Sequence, residues 1–279
     1  MKRSFAAFIL TIGAFTVVGC ASPGNPPADT SPPRIEHVHS ITGDPRSEGV
    51  LLGTHNGIFT VTLGGKVNGP VGGNDFDAMG FTLLGDAFIA SGHPGLETPE
   101  QLGSPNLGII RSDDQGENWE PVSMNGVEDF HVLTASTDGT LYGVGSSEQV
   151  LLRSSDAGLT WEKGARIEAV DVTKANESVY ALTKDGLQQS ADDGDTFVPV
   201  AEAPLFYAIE VKSNGALVGV DVEGTLWQND AQGDWVQIAQ AEGTVQALGI
   251  ALNDAPVWVD DRGVVELATD EVRVIAGNG

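Results

Sequence analysis

The sequence predicts an all-β fold, a β-propeller of six four-stranded blades, and three observations carry that prediction. A phrase of four short apolar runs returns six times along the chain. Its period is close to the length of one blade, about 40 residues. Helical periodicity is absent from the whole recurring region. With the serine of the clearest turn as register, the equivalent positions are Val61, Ser112, Ser154, Ser190, Gln228 and Leu267, at intervals of 51, 42, 36, 38 and 39 residues.

Residues 1–20 read as an address that precedes the fold. Lys2 and Arg3 give a positive start, and Phe5 to Val18 is an apolar run of 14 residues. That run falls short of the roughly 20 residues of a membrane span and suits a secretory signal. It ends in Val17-Val18-Gly19-Cys20-Ala21, which resembles the bacterial lipobox. The resemblance implies lipidation of Cys20, attachment to the lipid bilayer and a location outside the cytoplasm. Cys20 is the one cysteine of the chain, so no intrachain disulfide supports the fold. Residues 21–33 hold five prolines among thirteen residues and no large apolar side chain. They read as a tether that spans about 40 Å in polyproline II geometry.

Residues 34–279 form the propeller domain. The first strands are expected over His37–Ile41, Asp77–Phe81, Asp129–Leu133, Glu168–Val172, Tyr207–Val211 and Val245–Ile250. Second strands follow at Val50–Gly53, Ala87–Ser91, Leu141–Val144, Val179–Leu182, Leu217–Val220 and Val257–Val259. Asn56-Gly57, Asp185-Gly186, Glu223-Gly224 and Arg262-Gly263 then mark tight turns into third strands, with glycine supplying the positive φ.

Three turns between third and fourth strands share one pattern. They are built on Asp114, Gly116 and Trp119; on Asp156, Gly158 and Trp161; and on Asp192, Gly194 and Phe197. These resemble the Asp-box, or BNR repeat, of sialidases and related propellers. The fifth turn keeps Asp230 and Trp235 but displaces its glycine to Gly233, and the first and sixth have lost the pattern. The aspartate accepts backbone N–H bonds across the turn and the aromatic packs beneath it, a structural role that says little about chemistry.

Antiparallel order fixes which residues share a face. Starts of first strands and ends of second strands lie on one face, here the top, and the Asp-box turns lie on the other. His37 and His39 open blade one, and His55 ends its second strand. Met79 takes in blade two the slot of His39, and His93 ends that blade's second strand. His131 takes the same slot in blade three. Asp77 and Asp129 stand two residues before Met79 and His131, matching His37. All five histidines therefore fall on the top of three adjacent blades, and the last 148 residues contain none. Imidazole is the commonest metal ligand, and the thioether of Met79 tilts the choice toward copper among transition metals. The expected metal set is His37, His39, His55, Met79, His93 and His131, with the aspartates as ligands or as partners that orient the imidazoles. The segment Pro94 to Asn106, beginning beside His93, is about a dozen residues longer than its counterparts and has the length of a functional loop.

His37-Val-His39, Thr54-His55-Asn-Gly57, Met79-Gly-Phe81, Ser91-Gly-His93-Pro94 and Asp129-Phe-His131 together resemble a family of bacterial secreted Asp-box lipoproteins labelled glycosyl-hydrolase-like or sialidase-like. A more distant likeness is to the propeller factors of photosystem II assembly, which implies partner binding without catalysis. A sialidase resemblance would require an arginine trio, a tyrosine nucleophile with a glutamate, and an acidic donor. The chain departs from that pattern: Arg111 and Arg153 precede Asp-box turns on the far face, and no arginine trio surrounds Tyr207 and Glu210. Asp77, Asp129 and Glu168 share one slot on successive blades and are the weak candidates for an acid–base pair of another glycosidase.

The formal charge of −25 repels phosphate backbones and excludes nucleic acid as a natural partner. The reading that emerges is a lipid-anchored propeller outside the cytoplasm, binding a small ligand or a protein on its top face through a His/Met metal site. A glycoside hydrolase and a metal-free interaction scaffold are its alternatives.

Overall fold

A computed structural model describes residues 35–269 and 271–277. The leader, Cys20 and the tether lie outside the described residues. Among the described residues no helix is long and apolar enough to cross a membrane. Two single turns of 3-10 helix, Val71–Gly73 and Glu100–Leu102, are the helical content there.

The twenty-four strands form six sheets, each of four consecutive antiparallel strands. The fold is the predicted six-bladed propeller. Inner strands are Val38–Gly43, Asp77–Leu84, Phe130–Ala135, Ala169–Ala175, Phe206–Val211 and Ala247–Ile250, within a few residues of the expected segments. They contact one another in order round a ring, and the sixth returns to the first. Second strands such as Val50–Thr54, Leu141–Gly145, Leu217–Asp221 and Pro256–Asp260 are buried at every residue. A strand covered by sheets on both faces needs continuous apolar sequence rather than alternation, which explains the unbroken runs.

Closure of the ring rests on face packing. Val38, Ile41 and Phe59 of blade one share an apolar cluster with Ala247, Val257 and Ile275 of blade six. Gln246 adds a polar link, its Oε1 accepting from the Val38 N–H at 2.9 Å. The approach demands glycine: a Cβ on Gly249 would stand 2.5 Å from that of Ile41. Gly80 plays the same part between blades two and three, where a Cβ would lie 2.6 Å from the Phe130 carbonyl oxygen.

The three turns of pattern Ser-x-Asp-x-Gly repeat one hydrogen-bond set. Asp114 Oδ1 accepts from Ser112 Oγ at 2.8 Å and from the Asn118 N–H at 2.9 Å, and Ser112 Oγ accepts from the Gly116 N–H at 2.8 Å. Asp156 and Asp192 are bound in the same way. Hydrogen bonds led by Thr160 and Thr196 hold these two carboxyls at about 2.

One irregularity positions the site. In each of the first five blades the pairing of inner and second strands shifts by one residue, at His39, Met79, His131, Val170 and Tyr207. In blade six Gln246 occupies the corresponding place, its N–H donating to the Val259 carbonyl. A bulge leaves the extra residue outside the ladder and re-aims its side chain. All six residues line the mouth of the central channel.

Candidate metal centre

The histidines gather in two groups. In the first, donor atoms of His37, His39 and His55 lie within 4.8 Å of one another. The inner strand of blade one supplies His39, the residue just before that strand is His37, and the turn after the second strand supplies His55. The His37 backbone has φ of 37°, a left-handed conformation uncommon outside glycine and frequent at functional sites. His39 Nε2 stands 3.4 Å from His55 Nδ1. Asp77, at the start of the inner strand of blade two, places Oδ2 2.9 Å from His55 Nδ1 and Oδ1 3.2 Å from His39 Nε2. Burial raises the Asp77 carboxyl, but hydrogen bonds from His39 and His55 outweigh it and hold the group below the usual carboxylate range. The His37 imidazole is pushed down by burial and by the neighbouring His39 and His55.

The second group joins blades two and three. His93 Nε2 and His131 Nε2 approach the same oxygen, Asp129 Oδ2, at 3.1 and 2.6 Å. Asp129 is 2 % exposed, whereas both imidazoles are half-open to solvent. The hydrogen bond to Asp129 raises the His131 imidazole above its ordinary range, against the effect of burial.

Ser40 Oγ and Asp129 Oδ1 are buried without a hydrogen-bond partner among the described residues, and Asp77 Oδ1 has His39 Nε2, at 3.2 Å, as its one neighbouring ring nitrogen. All three belong to the tops of blades one to three. A buried carboxylate oxygen with no donor, as at Asp129, carries a desolvation penalty that a cation offsets.

The sequence-predicted residues are therefore neighbours, but they divide into two groups of donors and do not form a single set of six. Met79 lines the channel mouth with His39 and His131. Glu168 joins neither group; it is largely exposed and lies 4.0 Å from Lys184 Nζ. The long segment after His93 is fastened down: Asp75 accepts from the Glu97 N–H at 3.0 Å and from Thr98 Oγ1 at 3.1 Å, and Leu102 is buried in the blade-two core. Arg153 reaches Asp195 at 2.8 Å on the Asp-box side, as its place before that turn implied.

Sequence reasoning missed Asp171 in the central channel. The cavity there is about 390 Å³, and Asp171 lines it with Tyr207 and Glu210 opposite the histidine-bearing blades. Asp171 accepts from the N–H groups of Val172 at 2.9 Å and Ile209 at 2.8 Å, and so joins blades four and five. Burial lifts its carboxyl to about 7. Burial, and then the charge of Asp171, push Glu210 well above the usual range. The bulge register was the available signal, since it aligns Val170, Tyr207 and Gln246 with His39.

Fold and site together define a six-bladed propeller with histidine–aspartate groups confined to one half of one face. No family model matches the chain, and no curated protein matches it in sequence. Solved structures do match in fold. A gluconolactonase from Xanthomonas campestris superposes with TM-score 0.64 at 10 % identity, over 83 % of this chain and 85 % of that one. Virginiamycin B lyase from Staphylococcus aureus gives 0.55 at 14 %, over 85 % and 83 %. The GH74 xyloglucanase from Xanthomonas campestris gives 0.53 at 17 %, over 85 % of this chain and 44 % of its own. These proteins share the propeller architecture, and fold alone does not carry activity across.

Proposed function

We propose that this chain is a metal-binding propeller that uses the top of blades one to three to hold a transition metal and, through it, a small ligand or a protein. The observation that carries the reading is the spacing of the first group. Two donors bound about 2.1 Å from one tetrahedral ion stand about 3.4 Å apart, and His39 Nε2 is 3.4 Å from His55 Nδ1. Asp77 contributes a third donor at similar range. The thioether of Met79, at the channel mouth between His39 and His131, favours copper over harder ions. Lipid attachment at Cys20 would place this site outside the cytoplasm, in the service of metal handling or of assembly of another envelope protein. The likeness to secreted Asp-box lipoproteins supports the location and leaves the chemistry to the site.

The test is metal analysis of the full chain, solubilised in detergent and purified without a nickel column. Copper or another transition metal at one or more equivalents is expected, and a His39→Ala/His131→Ala double substitution should lose it. A metal-free protein that takes up no copper on addition would overturn the reading in favour of a scaffold. Turnover in a fluorogenic glycoside panel, abolished by Asp129→Asn but indifferent to chelators, would overturn it in favour of a hydrolase.

A further inference from the structure

Resting on that reading, we propose that His93, Asp129 and His131 form a second metal position, separate from the first, so that the face takes two ions. The two donor sets have no residue in common. His37, His39 and His55 come from blade one, with Asp77 from blade two; the second set is His93 from blade two and Asp129 with His131 from blade three.

His93 is placed to present Nε2 to an ion at the second position. Its Nδ1 faces the Pro105 carbonyl at 3.4 Å, which accepts from the ring in the Nδ1–H tautomer. That tautomer directs the Nε2 lone pair toward Asp129 Oδ2, 3.1 Å away, and a cation between them would be shared by both. An outer carbonyl that fixes the ring in this way is the usual partner of a metal-bound histidine. Pro105 belongs to the long segment after His93, which gives that segment a role at the site.

Asp129 is held for the task. Glu128, itself buried, accepts from the Asp129 N–H at 3.0 Å and the Ser147 N–H at 3.1 Å. The Asp129 carbonyl accepts from the Ser146 N–H at 2.8 Å, and the next N–H, of Phe130, donates to Ser91 Oγ at 2.9 Å. The backbone is thus fixed on both sides, while the carboxylate keeps one buried oxygen without any donor. Its open partners, His93 and His131, leave room for solvent or ligand on the ion. Two imidazoles and a carboxylate suit a divalent ion of the zinc, iron(II) or manganese(II) class better than copper(I).

The experiment is a zinc(II) titration of the detergent-solubilised full chain after chelator stripping, with bound zinc counted at saturation. Two equivalents are expected for the wild type. Asp129→Asn should reduce this to one, His55→Ala should also leave one, and the two together should leave none. His93→Gln, which keeps a polar side chain of similar reach, provides a second variant should Asp129→Asn not fold; it too should read one equivalent. A wild type that binds a single equivalent, kept in Asp129→Asn and lost in His55→Ala, overturns the second position and leaves the first standing; the reverse pattern overturns the first. An unchanged count in Asp129→Asn, or loss of both ions from either single substitution, also overturns the second position. A wild type that binds neither zinc nor copper overturns both positions.

Discussion

Blades one to three and blades four to six share one backbone and differ in what it presents. The bulge slot holds His39, Met79 and His131 in the first half and Val170, Tyr207 and Gln246 in the second. Two residues earlier stand His37, Asp77 and Asp129, against Glu168, Leu205 and Thr244. In the second half Gln246 and Tyr207 use the slot to join blades, by bonds to Val38 and to the Val245 carbonyl, and Asp171, one residue after the slot, does the same through Ile209. The first half leaves a buried oxygen of Asp129 without a donor. Repetition fixes position, and only the side chains in the repeated slots decide chemistry.

The strongest way to break the comparison is to alter one slot in each half. His39→Ala removes a proposed ligand and should weaken copper binding on the order of a hundredfold or more, beyond the 10–100-fold typical of outer-shell partners. Tyr207→Phe, in the same slot across the channel, should leave affinity within about twofold. Competition with a chromophoric chelator reads both. Equal losses would mean that the halves do not differ as their residues suggest.

Asp77 sharpens the picture, because it touches both His39 and His55. Asp77→Asn keeps the shape and removes the charge. If Asp77 only orients the imidazoles, metal affinity should fall about 10–100-fold; a larger loss marks the carboxylate as a ligand. The same titration distinguishes the two.

Most of the fold was legible because it is written locally. Glycine-bearing turns and unbroken apolar second strands mark each blade, and three Ser-x-Asp-x-Gly turns set the period. Blades one and six lack that signature, and they meet through Ile41, Phe59, Val257 and Ile275, a contact between the chain's two ends that no local pattern records. The candidate site was legible as a face and not as a set of contacts. Asp129 looked like a carboxylate at a channel mouth, but the ordered backbone on either side of it buries it to 2 % exposure. That placement depends on Ser91 and Ser146 arriving from separate segments to bond the backbone on either side of it. Nor does spacing reveal that Asp77 turns toward blade one and Asp129 toward His93, which is what divides five histidines into two groups.

The carboxyls of the second half give a pH dependence with a definite sign. In the unfolded chain an aspartate titrates near 3.9, whereas burial lifts folded Asp171 to about 7. Between those values the folded protein retains a proton that the unfolded chain has released. This contribution to stability is therefore full below about pH 4 and is lost as pH rises through about 7. Asp171→Asn removes the titration but retains an acceptor for one of the two N–H groups. The stability difference should move in favour of the variant between about pH 4 and pH 8, by less than the roughly 4 kcal/mol that the full rise in pKa allows, because the carboxyl faces the channel. Urea unfolding at several pH values measures it; a difference that does not vary with pH would mean that water in the channel solvates the Asp171 charge.

The smallest effect belongs to the apolar top of blade five. Leu205 is 49 % exposed and Val222 65 %, and they flank the paired residues Phe206 and Asp221 at the position that Asp77 and His93 occupy in blade two. Exposed side chains of this kind bury little area, so Leu205→Ser and Val222→Ser should each change stability by no more than about 0.5 kcal/mol. Metal binding should be unaffected, because neither residue supplies or orients a donor. Denaturant titration checks the first expectation and the chelator assay the second. A shift well beyond that size would show that this slot supports the ring even where it is apolar, and the contrast between halves would then be one of degree: both would be structural, and only the first would have acquired ligands as well.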